Sequence, residues 1–102
     1  MISENIQKMI PLMQQYFLEQ PIEKAWLFGS SSRGEEREDS DIDILVEYDR
    51  NAKISLFTIS RIMLQMKRIL GREVYLIEND CLLPFAEESA NHDKILIYER
   101  KN

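Results

Sequence analysis

With 102 residues, 44% hydrophobic and 30% charged, the chain has the composition of one small folded domain with a modest core, residues 1–102. A net charge of −5 opposes contact with a long phosphate backbone, so a nucleic-acid polymer is disfavoured as a partner. No run approaches the ~20 apolar residues of a membrane span, no signal peptide is expected before Ile2, and Cys81 stands alone without a disulfide partner, which together suggest a cytoplasmic protein.

The first predicted element is a helix from Ser3 to Glu19. Ile6, Met9, Ile10, Met13 and Phe17 recur at helical spacing as one core-facing stripe, with Ser3 as N-cap. Pro11 predicts a kink or break near Gln7–Ile10, and Gln20-Pro21 ends the helix. A strand follows from Ile22 or Lys24 to Phe28, with Trp26 expected in the core. Gly29-Ser30 then makes a tight turn, and a short helix is expected to begin near Ser31. Residues 35–39, Glu-Glu-Arg-Glu-Asp, read as a solvated loop that Ser40 closes.

Ten residues after Ser30 comes a second strand, Asp41-Ile42-Asp43-Ile44-Leu45-Val46. Alternation puts Asp41, Asp43, Leu45 and Glu47 on one face and Ile42, Ile44 and Val46 on the other. Burying the aliphatic face fixes the register and sets two aspartates side by side, their Cα atoms roughly 6.5–7 Å apart. Aspartate is disfavoured in strands, so two flanking an isoleucine need a reason. Mg²⁺ supplies one, because it takes oxygen ligands and completes its shell with water and phosphate. The Gly29-Ser30 turn can present donors to those phosphates, and the Arg33 guanidinium suits the same anion. A phosphate turn beside a carboxylate pair points to phosphoryl or nucleotidyl transfer.

Beyond the pair, Tyr48–Lys53 is a predicted loop and Ser55 the N-cap of a second long helix. Leu56, Ile59, Ile62, Met63, Met66, Ile69 and Leu70 form its apolar stripe, and Gly71 ends it. Glu73–Ile77 is a third strand and Asn79-Asp80 a turn. Pro84 opens a short helix to about Ala90, His92 falls in an exposed turn, and Lys94–Glu99 is a closing strand. These elements give an α/β (α+β) fold, a small mixed sheet of three or four strands flanked by helices.

The motifs LFGSSSRG and SDIDILVEYD, with Gly29-Ser30 ten residues ahead of Asp41-Ile42-Asp43-Ile44, resemble the minimal nucleotidyltransferase (MNT) domain of the DNA polymerase β-like superfamily. The resemblance runs from about Lys24 through Tyr98. It implies a nucleotidyltransferase-like fold, Asp41 and Asp43 as catalytic metal ligands, and Gly29, Ser30, Arg33 and Gly34 at the nucleotide. It also implies a two-ion Mg²⁺ pattern, ATP as donor, a hydroxyl of a protein or other acceptor as target, and a helical HEPN-type partner in a toxin–antitoxin pair. The family's third carboxylate falls in the third strand, at a position occupied here by Tyr75. A neutral phenol is a poor replacement. Two readings therefore stand: an adenylyltransferase-type enzyme, with Glu73 or Glu47 compensating, or a catalytically degenerate module that binds nucleotide or partner.

Overall fold

The computed structural model describes residues 3–29, 32, 34, 41–79 and 94–100. The elements are α1 (Glu4–Phe17), β1 (Ile22–Phe28), β2 (Ile42–Tyr48), α2 (Leu56–Leu70), β3 (Val74–Glu78) and β4 (Ile95–Glu99). The four strands form one mixed sheet in the order β3-β2-β1-β4. β1 runs antiparallel to both β2 and β4, while β2 and β3 are parallel and joined through α2. Ile42 donates its N–H to the Glu73 carbonyl at 2.9 Å, which ties the start of β2 to the start of β3.

One face of the sheet carries the core. Ile42, Ile44 and Val46 of β2 are fully buried with Ala25 and Leu27 of β1, against Ile6, Met13 and Phe17 of α1 and Ile62 and Met66 of α2. The Tyr98 ring of β4 meets Phe17 at 5.5 Å between centroids. Gln14 of α1 donates to the Ile97 carbonyl at 2.8 Å and pins the helix to that edge of the sheet. Alternation in β2 thus holds as expected: three aliphatic side chains point to the helices and the aspartate side points away.

Several expectations needed correction. Pro11 does not break α1, which is continuous from Glu4 to Phe17. Pro11 lies on the exposed side of the helix, where losing one backbone donor costs least. Ser3 does cap this helix, accepting from the Ile6 N–H at 3.3 Å. In α2 the stripe is narrower than its pattern suggests, since only Ile62 and Met66 are buried, while Leu56 and Ile69 are exposed. The two fully buried residues lie in its central turns, and Leu70 at its C-terminal end packs partly against the core. The ends themselves are as expected, with a Ser55–Thr58 capping box and Gly71 in the left-handed region at φ +71°. Trp26 is not a core residue. It lies half-buried on the face opposite the helices, opposite Leu45, with the Lys94 ammonium 4.6 Å from its ring centre. Tyr48 continues β2 rather than opening a loop. The turn at Asp80, the helix expected from Pro84, and His92 and Cys81 lie outside the described residues.

Candidate active site

β1 ends at Phe28 where β2 begins, so the turn after β1 and the aspartates meet at one end of the sheet. Phe28 is opposite Asp43 on one side, and Tyr75 is opposite Asp43 on the other. Asp41 stands just before β2 and is exposed, while Asp43 is half-buried within it. Burial, and then the charge of Asp41, push the Asp43 carboxyl above its ordinary value. The charge of Asp41 therefore disfavours that of Asp43, and a cation beside Asp43 would relieve it.

Gly29 completes this corner. Its φ is +70°, and a Cβ there would lie 3.2 Å from Asp43 Oδ2. Any larger residue would meet both backbone strain and the carboxylate. The turn is held from the far side by Ser32, whose N–H and Oγ both donate to the Gly29 carbonyl, at 3.2 and 2.8 Å. Ser32 is only 5% exposed. Sequence reasoning singled out Ser30 in this turn and passed over Ser32; the signal available was a serine three residues after the glycine, the spacing of a local side-chain-to-backbone bond. Gly34 also has a positive φ, +75°, which suits a sharp change of direction after the turn. Ser30 and Arg33 lie outside the described residues.

The register gives Tyr75 a definite place. It is the β3 residue beside Asp43 and is 47% exposed. Neither acid considered as its substitute is aimed at the pair. Glu73 accepts from Lys67 of α2 at 2.6 Å, and this bond and the Glu73 charge raise the Lys67 ammonium above its usual range. Glu47 accepts from the Asn79 amide at 3.4 Å and lies four residues beyond Asp43, roughly 13 Å along the strand. Among the described residues no group of three or more His, Cys, Asp or Glu side chains is placed to hold a metal ion. Asp43 lies within β2 and Asp41 just before it, so two carboxylates stand at the end of the strand next to the Gly29 turn.

A cavity of about 510 Å³ lies at the opposite end of β2, with Glu23, Glu47, Asp49 and Glu78 among its lining. The length of β2 separates this cavity from the Gly29–Asp43 corner, and Arg50 is in the same lining. There the Tyr48 phenol is pushed up to about 12, first by burial and then by Glu78. A second groove, of about 340 Å³, runs between α2 and β3 with Met63, Leu64, Lys67 and Tyr75 on its walls. Tyr75, the strand neighbour of Asp43, is among its lining residues. Among the described residues no helix is long and apolar enough to cross a membrane.

Comparison with known proteins gives the family and the fold. Residues 7–102 match the family model described as "Polymerase beta, Nucleotidyltransferase". A Methanocaldococcus jannaschii protein named "putative protein adenylyltransferase" is 33% identical over 87 residues, covering 85% of this chain and 87% of that one. A solved structure titled "putative minimal nucleotidyltransferase" superposes with a TM-score of 0.76 at 27% identity, covering 93% of this chain and 95% of that one. A chain from a complex of a tri-AMPylated Shewanella oneidensis HEPN toxin with its MNT antitoxin shares the fold, with a TM-score of 0.61 at 18% identity, covering 94% of this chain and 71% of that one.

Proposed function

Because this chain belongs to the polymerase β nucleotidyltransferase family, we propose that it transfers AMP from ATP to a hydroxyl of a partner protein. The observation that supports this reading is the closeness of the Gly29 turn to Asp43, whose Oδ2 lies 3.2 Å from where a Cβ on the glycine would stand. Asp41 and Asp43 would hold Mg²⁺, which when bound neutralises phosphate charge and aligns an in-line displacement. The Gly29-Ser30 turn, Arg33 and Gly34 would bind the β- and γ-phosphates and keep the leaving pyrophosphate in place. A HEPN-type helical protein is the proposed acceptor, on the strength of the complex that shares this fold.

A second reading has its own observation. Tyr75 is beside Asp43, and Glu73 is engaged by Lys67, so the residues that would place the family's second metal ion are short of one carboxylate. On that reading the chain is a degenerate module that binds nucleotide or partner. The deciding experiment incubates ATP labelled at its α-phosphate, Mg²⁺ and a co-expressed HEPN-type protein with wild type, Asp43→Asn or Tyr75→Asp. Label on the acceptor that falls at least ~100-fold in Asp43→Asn supports the transferase. Transfer by Tyr75→Asp but not by wild type supports the degenerate module. No transfer by either removes the enzymatic reading.

A further inference from the structure

Tyr75 carries a hydroxyl beside the proposed nucleotide site. In the parallel register it is paired with Asp43, so both side chains leave the sheet on the same face. Adjacent strands lie about 4.8 Å apart, and a tyrosine side chain is longer than that gap. Tyr75 is 47% exposed and forms one wall of the groove beside α2. An exposed side chain exchanges rotamers within about nanoseconds, so the hydroxyl is free to turn towards the carboxylate beside it. Ser32, the other described hydroxyl at the turn, is not comparable: it is 5% exposed and committed to the Gly29 carbonyl.

We infer that Tyr75 is itself an acceptor, so that the chain adenylylates its own β3 tyrosine; this rests on the nucleotidyl-transfer reading above. The phenolic oxygen attacks the α-phosphorus of ATP, and the bond from that phosphorus to the bridging oxygen of the β-phosphate breaks. Pyrophosphate leaves with the electron pair, and the phenolic proton passes to water at the open edge of the sheet. The product is a tyrosyl phosphodiester of AMP, at most one per chain. Two features favour this tyrosine over an external hydroxyl. It is held at the site by the strand register, which removes the entropy of bringing a second molecule to it. Phenols as a class also give up a proton more readily than alkyl hydroxyls, so they depend less on the activating carboxylate that this position lacks.

The test uses the purified full chain with Mg²⁺ and ATP and no added acceptor, read by intact mass and by peptide mapping. Wild type should gain the mass of one AMP group, located on the peptide that contains Tyr75. Tyr75→Phe, which leaves ring and strand in place, and Asp43→Asn should each reduce that product by at least ~100-fold. An unmodified Tyr75, or undiminished label in Tyr75→Phe, overturns the inference. Binding of the non-transferable analogue α,β-methylene ATP, measured in parallel, separates this failure from failure of the nucleotide site. If wild type binds the analogue and Asp43→Asn does not, while Tyr75 stays unmodified, self-modification is wrong and nucleotide recognition survives.

Discussion

The two faces of β2 have opposite characters within one strand. Towards the helices, Ile42, Ile44 and Val46 are each 0% exposed and packed in a continuous core. Towards the other side, Asp43 lies between Phe28 and Tyr75, partly removed from water and next to a second acid. The first face supplies stability and the second spends some of it. The difference teaches how a small domain positions a charged site: the half-buried Asp43 takes its register from the buried isoleucines on either side of it in the strand. A one-residue slip would turn the carboxylates towards the helices and the three aliphatic side chains to the face that carries Asp43 and Leu45.

Breaking the core face should have the largest effect. Ile44→Ala removes a fully buried side chain from the middle of β2 and should cost about 2–5 kcal/mol, read as a lower midpoint in urea denaturation. Because the register carries the site, Mg²⁺-dependent nucleotide binding should weaken in the same variant. Retained binding with lost stability would separate the two faces more than the geometry allows. A smaller effect is expected at Tyr98, whose ring packs on Phe17 but whose buried hydroxyl has no hydrogen-bond partner among the described residues. Tyr98→Phe keeps the ring contact and removes the unsatisfied group, so it should raise stability by up to about 1 kcal/mol. A loss of that size instead would mean that the hydroxyl is bonded in solution.

The sequence made the core face of β2 legible because strict alternation has only one way to bury three aliphatic residues. It made the place of Asp43 legible for the same reason, between the buried Ile42 and Ile44, while Asp41 stands just before the strand. It failed where local signals compete with tertiary ones. Pro11 is a helix breaker by rule, yet the buried side of α1, with Ile6, Met13 and Phe17, holds the helix together around it. The α2 stripe overcounted because periodicity does not say how deeply each apolar residue is buried. Trp26 was misplaced because one aromatic residue in a strand does not say which face it occupies; its neighbours Ala25 and Leu27 took the core side. The role of Ser32 depends on a bond to a carbonyl three residues back, which composition alone does not announce.

The smallest expected effect tests the claim that Asp43 costs the fold stability. Its carboxyl is raised by burial and by Asp41, so in the absence of a bound cation the folded state holds its proton more tightly than the unfolded state does. The associated stability is fully present below the unfolded value of 3.8 and is lost as pH rises through the folded value. At neutral pH the ionised Asp43 is therefore a liability, and Asn, which has the same shape without the charge, should be more stable. The group is half open to water, so the gain is discounted to about a few tenths of a kcal/mol. Thermal melts of wild type and Asp43→Asn should differ by roughly 1–2 °C at pH 7 and converge at pH 3. Added Mg²⁺ with ATP should reverse the order, because wild type gains from ligand binding and the variant does not. If Asp43→Asn melts lower than wild type in the absence of ligand, Asp43 is a structural residue, and the division between the two faces of β2 is not the one drawn here.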